Sequence, residues 1–384
     1  GRRLLVSGPD EAAERVVSAY RKGAARSFDA EIMSRIYERP FEAVVVAEEE
    51  IPEERSGGGE LGGHLQGCRI GFDLGASDYK IAAVRDGNVL FSEEIPWNPG
   101  EQQDPSWHLD RVHEGLERAA AHLPRVDAIG GSSAGVVVDY KLMVASLLRS
   151  VPPERMDEGK SIFLELRRRW NVPLEVRNDG EVTALAARLS LGAGGVLGIA
   201  MGSSEAAGYV DSGGRMESWL NELACSPVDL SPNAPRDEWS GDVGVGALYF
   251  SQQAVSRLMP PAGLPPLPGE TLPERLARAS TLATEGDERA RRIFETIGAY
   301  LGHTLPWYSL FYDMTDVQIL GRVTSGEGGR IIKARAEAVL SEAYPEAAAE
   351  LVVHLPDEKS RRVGQAVAAA SLPPLSRHAG DIRT

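Results

Sequence analysis

GFDLGASDYK, residues Gly71–Lys80, ends an apolar run on an acid and then bends through Gly75, Ala76 and Ser77. Asp-x-Gly-x-Ser at a strand end sets a carboxylate beside unshielded backbone N–H groups, since glycine has no Cβ to block an approaching anion. A partial copy, GIAMGSSEAAGYV, begins at Gly198. Laying Gly71 on Gly198 puts Gly75 on Gly202, Ser77 on Ser204, Asp78 on Glu205 and Gly87 on Gly214 without a gap. Each copy reads strand, bend, strand, glycine turn, strand. Two copies at long spacing make a duplicated lobe, because a solenoid needs at least three short units. Two lobes around a cleft would face two bends at each other, Gly75-Ala76-Ser77 and Gly202-Ser203-Ser204, and grip a polyphosphate between them. Asp73 suits that place with a Mg²⁺ between it and the phosphates, held through water. The alternative is a polar hairpin bend with a solvated Asp73.

The 384 residues, 42% of them hydrophobic, suffice for two cores. A net charge of −15 leaves no basic face for a nucleic-acid or anionic-membrane partner, so neither is expected. No apolar run reaches the ~18 residues of a membrane span. The first residues, GRRLLVSGPDEAAERVV, lack the apolar stretch of a signal peptide. The two cysteines, Cys68 and Cys225, form no CxxC pair. A reduced cytoplasmic location follows as the expectation.

Ahead of Arg69, DEAAERVVSAYRKGAA reads as a helix, FEAVVVAEEEIP as a strand and SGGGELGGH (Ser56–His64) as a flexible joint. After the first strand triplet come a helix near Pro105–His122, the strand VDAIGGSS, a helix near Ile162–Trp170, and the strand LEVRND feeding the helix GEVTALAARLSL. Further on, MPPAGLPPLPGETLP is a surface loop, DERARRIFETIGAYLGHTL an amphipathic helix and SRRVGQAVAAASL a closing helix. This alternation predicts α/β layers.

VRNDGEVTAL admits two readings. Asn178 and Glu181 have the spacing of a helix-capping box. Asp179 also falls at a strand's carboxyl end, where α/β proteins place ligands, and could accept a proton from an attacking hydroxyl. LGRVTSGEGGR, again between strand and helix, either lines a nucleotide base or sugar or is a tight turn. GSSAG (131–135) matches G-x-S-x-G, but the extended VVVDYKLMV that follows excludes the helix a nucleophile elbow requires. His108 and His113 are five apart, not the four of a zinc-binding helix face, and read as exposed helix surface. GxxxxGK[ST] is absent.

Asp-x-Gly-x-Ser after a strand, AIGGSSAGVVVD, NDGEVTALAA, WLNELACSPVDL and ILGRVTSGEGG occur in an order that resembles the ROK-family sugar kinases of the actin–hexokinase–Hsp70 superfamily. The resemblance spans roughly residues 69–372. It implies an α/β fold of duplicated ribonuclease-H-like (actin-like ATPase) lobes flanking a nucleotide cleft. It also implies ATP with Mg²⁺, phosphoryl transfer to a sugar or cyclitol hydroxyl, and a homodimer. Asp73, Gly75, Ala76 and Ser77 would form the first phosphate loop and Gly202, Ser203 and Ser204 the second, with Gly321 near adenosine. Asp179 would be the catalytic base, and Asn178, Glu222 and Ser133 would contact the acceptor. The expected segments are 1–66, an N-terminal extension; 67–177, the first lobe; 178–355, the second; and 356–384, a closing helix and tail.

The departures from that family are specific. Ser77-Asp78 replaces its Thr-Lys, and GSSEA replaces Gly-Thr-Gly, bringing Glu205 toward the phosphate region. Cys225 stands where a zinc-binding, sugar-contacting His belongs. WSGDVGVGALYFSQQAV has no Cys, and Ala247 replaces a sugar-binding Glu. No zinc is expected. Two rivals to a kinase remain on the same scaffold: a non-catalytic sugar or nucleotide sensor, and an ATP hydrolase or acyl-phosphate kinase.

Overall fold

The two copies of the strand–bend–strand motif seed two sheets with one and the same strand order. The computed structural model describes residues 1–53, 59–60, 62–216, 220–356 and 358–375. The chain starts with β1 (Arg3–Val6), α1 (Asp10–Ala19), α2 (Ser27–Ile36) and β2 (Glu42–Val45), the two strands pairing in parallel, and a short β3 (Gly59–Glu60). Next come β4 (Cys68–Leu74), β5 (Asp78–Arg85), β6 (Asn88–Pro96), α3 (Pro105–Ala120) and β7 (Ala128–Ser133). A hairpin of β8 (Val136–Val138) and β9 (Lys141–Val144) leads to α4 (Met156–Lys160), α5 (Ile162–Trp170) and β10 (Leu174–Asn178). The chain then runs through α6 (Asp179–Leu191), β11 (Val196–Met201), β12 (Glu205–Val210), β13 (Arg215–Met216), α7 (Gln252–Leu258), α8 (Leu272–Thr284) and α9 (Glu288–Tyr308). It ends with β14 (Asp316–Leu320), α10 (Gly326–Ala343), α11 (Pro345–Glu350), β15 (Val352–His354) and α12 (Glu358–Ala370).

One sheet has the order β10-β7-β4-β5-β6 and the other β15-β14-β11-β12-β13, with β3 added at its edge. In each, a three-stranded antiparallel meander is extended by two parallel strands, the duplicated ribonuclease-H-like lobe expected from the sequence. Apolar side chains from one face of each sheet, such as Phe72 and Ile81 or Ile199 and Tyr209, fill separate cores.

The gapless alignment hides a compensated shift. Leu74 pairs with Tyr79, leaving four residues in the first bend, whereas Met201 pairs with Glu205, leaving three in the second. The next turn restores the count. Arg85 and Asn88 enclose only Asp86-Gly87, while Asp211 and Arg215, joined by an N–H···O bond of 2.9 Å, enclose Ser212-Gly213-Gly214. Both turn glycines are left-handed, φ 79° at Gly87 and 77° at Gly214. The counterpart of Glu205 is therefore Tyr79, not Asp78. A one-residue slip reverses the face of a strand side chain, so Glu205 points into the second lobe's interior and not to the bend.

Two helices cross between the sheets. α6 leaves the first sheet yet lies on the second, where a Cβ at Gly180 would come within 2.0 Å of the Ala207 carbonyl oxygen. α12 leaves the second sheet yet lies on β4, β5 and β7 of the first. A Cβ at Gly71 would sit 1.7 Å from the Ala366 carbonyl oxygen, and one at Gly130 1.6 Å from that of Ala369. The two helices meet through Val182, Ala184 and Leu185 against Ala368, Ala369 and Leu372. Gln365 Nε2 donates to Thr183 Oγ1 at 2.7 Å.

Three sequence expectations need correction. The extension holds a second helix, α2, where only one was expected. The joint is tied down rather than flexible in its described part: Gly59–Glu60 pairs with β13, and the Gly63 and His64 N–H groups donate to Ser371. Residues 56–58 and 61 of the joint, Trp219 of the WLNELAC motif and positions 376–384 of the tail lie outside the described residues. His108 is buried, its ring nitrogens within 3.2 Å of the Asp104, Pro99 and Leu147 carbonyls. It fixes the start of α3 and does not face solvent.

Candidate active site

Parallel register gathers the first half of the site. β4, β7 and β10 run side by side, aligning Asp73 with Ser132 and Leu74 with Ser133, while Asn178 pairs with Ser133. All these residues stand at the carboxyl ends of parallel strands. Asp73 is 7% exposed; its Oδ1 accepts from Ser132 Oγ at 2.6 Å and its Oδ2 lies 3.8 Å from Lys80 Nζ. Burial pushes its carboxyl above the usual range, Lys80 and Ser132 pull it down, and Asp78 and Glu94 push it up again. Ser133 is fully buried, its hydroxyl turned to the Ala134 carbonyl at 3.2 Å.

Asn178 caps α6. Its Oδ1 accepts from the Gly180 N–H at 2.8 Å and its Nδ2 donates to the Gly135 carbonyl at 2.8 Å, tying the helix start to the β7–β8 crossing. The capping reading is thus real, and it leaves the neighbouring carboxylate free for other work. Asp179 Oδ1 accepts from the Gly180 N–H at 3.0 Å. Burial, then the charges of Asp73 and Glu222, push Asp179 up to about 8. Those two neighbours belong to different lobes, so Asp179 faces the cleft between them. Glu222 keeps part of its surface in solvent, yet the protein packed around its carboxyl desolvates it and raises it above the usual range.

The second sheet supplies the other wall. β11 and β14 are parallel, and Gly321 follows β14 directly beside Met201. Its φ is +99°, and a Cβ there would lie 2.6 Å from the Met201 carbonyl oxygen, so the backbones meet at a position only glycine suits. In the bends, the Gly75 N–H donates to the Asp78 carbonyl and the Gly202 N–H to that of Ser204. The N–H groups of the exposed residues Ala76, Ser77, Ser203 and Ser204 make no hydrogen bond to the described residues. Two sets of free donors are what a polyphosphate needs. A Mg²⁺ that keeps most of its waters needs only one or two carboxylates besides phosphate, a role that fits Asp73. Among the described residues no group of three or more His, Cys, Asp or Glu is arranged to hold a metal.

Cys225 lies near Glu222, Asp29, Asp237 and Asp242; burial first, then these acids, push its thiol up to about 12. Asp29 belongs to α2, which spans both lobes. Arg26 pairs with Asp242 at 3.2 Å and Phe28 meets Trp239 edge-on at 4.9 Å, while Glu38 pairs with Lys160 at 3.4 Å and Lys141 at 3.7 Å. Ala247 is buried. Sequence reasoning missed Ser132, Lys80 and α2. The first two were visible beside the motifs that were read, whereas nothing local in Arg26–Glu38 signals where the helix docks.

Glu205 is 5% exposed, both of its carboxyl oxygens lack a hydrogen-bond partner among the described residues, and burial with the charge of Glu222 pushes it up to about 8. A carboxyl whose folded pKa is raised binds more protons folded than unfolded. Its contribution is therefore retained below its unfolded value and lost as pH rises from about 4.5 through about 8. Glu205→Gln is expected to match the wild type in melting temperature at pH 4–5, to exceed it increasingly up to about pH 8, and to hold a constant advantage above that. The gain is bounded by about 1.4 kcal/mol per pH unit. Parallel thermal melts across that range check it; a pH-independent difference would mean that Glu205 is charged in the fold.

No protein-family model matches the chain, and no curated protein matches it in sequence. Solved structures do. The chain is similar to a ROK family glucokinase from Streptomyces griseus, solved with glucose and AMPPNP, at 18% identity and a TM-score of 0.62, over 80% of this chain and 99% of that one. It is similar to the ROK hexokinase of Thermus thermophilus at 19% identity and a TM-score of 0.58, over 79% and 97%. It is also similar to a ROK family transcriptional regulator, a homolog of the E. coli MLC protein, at 20% identity and a TM-score of 0.59, over 80% and 79%. The fold is thus the two-lobed fold of ROK sugar kinases and regulators. Among the described residues no helix is long and apolar enough to cross a membrane.

Proposed function

We propose that this chain transfers the γ-phosphoryl group of ATP to a hydroxyl of a sugar or cyclitol, acting in the cytoplasm as a homodimer without nucleic-acid or membrane partners. The observation that carries the reading is Asp179: a carboxylate at a strand's carboxyl end, facing the cleft with Asp73 toward one lobe's bend and Glu222 on the opposite wall. In this reading the free N–H groups of Ala76, Ser77, Ser203 and Ser204 hold the polyphosphate, and Gly321 leaves room for adenosine. Asp73 orients Mg²⁺ through water, and that ion, when bound, neutralises phosphate charge. Glu222 and the remaining N–H of Asn178 orient the acceptor above the buried Ser133. Asp179 takes the acceptor hydroxyl's proton as that oxygen bonds to the γ-phosphorus, the bond from phosphorus to the bridging oxygen breaks, and ADP leaves. Lobe closure about α6 and α12 excludes water from the transfer.

A second reading, a non-catalytic sugar or nucleotide sensor, draws on Cys225 and Ala247, because a pocket that loses polar partners binds hydroxyls less selectively. ADP release measured over a panel of sugars and cyclitols with ATP and Mg²⁺ separates the readings. Acceptor-dependent release supports the kinase. Binding of ATP or sugar without turnover supports the sensor, and acceptor-independent release makes the chain an ATP hydrolase.

A further inference from the structure

The first bend is joined across the cleft to the loop after β14 by an ion pair. Arg322, next to Gly321 in the second lobe, pairs through Nη2 with Oδ2 of Asp78 in the first, and the same nitrogen lies 3.9 Å from Glu94 Oε1. Among the described residues, these are the ion pairs that link the first sheet's lobe directly to the second's. Asp78 is also held by Ser77, whose Oγ donates to the same Oδ2 at 2.8 Å. Arg322 projects from a pinned backbone: the Val323 N–H donates to the Met201 carbonyl at 3.1 Å, and the Thr324 and Ser325 hydroxyls donate to the Gly321 carbonyl at 3.1 and 3.2 Å. Its guanidinium thus crosses the gap between the bend at 75–77 and the loop at 321, the gap in which the reading above lays the phosphates.

From this arrangement we infer that Arg322 is a phosphate-binding residue, and that Asp78 occupies its guanidinium while the cleft is empty and yields it to the diphosphate portion of the bound nucleotide. The inference rests on the nucleotide reading of the cleft and adds a residue and an exchange to it. The chemistry favours the exchange. The Arg322 side chain is half exposed, so its bond to a single carboxylate is weak and easily replaced. A phosphate offers the planar guanidinium a bidentate, doubly charged partner. The first bend carries an acid, Asp78, beside its donors, and the nearby Lys80 is already drawn to Asp73. Among the described residues beside this bend, Arg322 is then the cation that can turn to phosphate charge.

An exchange makes opposite predictions for the two partners, whereas a purely structural bridge makes the same one. Equilibrium binding of MgADP, MgATP and magnesium pyrophosphate is measured by calorimetry on wild type, Arg322→Ala, Arg322→Lys, Asp78→Asn and the double variant Asp78→Asn/Arg322→Ala. Arg322→Ala is expected to weaken ADP and ATP about tenfold and Arg322→Lys less, since the charge remains but the fork is lost. Asp78→Asn is expected to tighten both several-fold, and that gain should vanish in the double variant. Pyrophosphate following the same pattern assigns Arg322 to the phosphates alone; an effect confined to nucleotides still supports a phosphate contact, one that depends on the adenosine for register. Equal weakening by Arg322→Ala and Asp78→Asn, or no change in either, overturns the inference while leaving the nucleotide reading intact. A wild type that binds none of the three overturns the nucleotide reading, and the inference falls with it.

Discussion

Asp179→Asn is expected to lower acceptor-dependent ADP release by about 10²–10⁴-fold, the usual worth of a positioned general base, without changing MgADP affinity. The variant is well suited to the question. Asn178, not Asp179, makes the helix cap, so the start of α6 stays intact. The wild-type pH profile carries a second signature. Burial and the charges of Asp73 and Glu222 hold Asp179 protonated up to about 8, and a protonated carboxyl cannot accept the hydroxyl's proton. The kcat/KM for acceptor, which reports the free enzyme, should therefore rise tenfold per pH unit below about 8 and level off above it. The variant should retain none of that limb. Undiminished turnover in Asp179→Asn would return Asp179 to a structural place in the first turn of α6.

The second large effect concerns stability. Gly71→Ala and Gly130→Ala each drive a methyl group into a helix carbonyl of α12, within 1.7 and 1.6 Å of its oxygen. No side-chain rotation relieves such a clash, so the whole helix must lift from the sheet. A loss of about 3 kcal/mol or more is expected for each, at or above the upper end of ordinary overpacking. Gly213→Ala, where the added carbon would meet nothing nearer than 3.3 Å, should stay within about 0.5 kcal/mol of wild type. Denaturant titration of the three variants checks the contrast. Equal stability of Gly71→Ala and Gly213→Ala would mean that α12 does not rest on β4.

Much of this was legible in the sequence because it was local. The motif at Gly71 and its copy at Gly198 gave the duplicated lobes, and Asp73, Asp179 and Gly321 declared themselves as polar or glycine residues at strand ends. What escaped depended on distance or on single-residue register. Glu205 aligned with Asp78 through matching glycines, yet a shorter bend and a longer turn, each shifted by one residue, sent it inward. Asp78 stood out as an acid in a phosphate loop, but its partner Arg322 is 244 positions away. Arg322 lay inside a motif that was read only for its glycines. The docking of α2 across both lobes has no short-range signal at all.

The closing helix also sets an order of events. Arg69, at the start of β4, is 1% exposed; its Nη1 donates to the carbonyls of Ala370 and Pro373, some three hundred positions downstream. A ribosome releases β4, β5 and β7 long before it releases α12. During that interval the glycine and alanine face of the first sheet lacks its covering helix, and Arg69 has the Gln66 carbonyl but not those of Ala370 and Pro373. The first sheet therefore cannot complete its packing until the last helix has been made, and until then its bare face is the one a nascent-chain chaperone would meet.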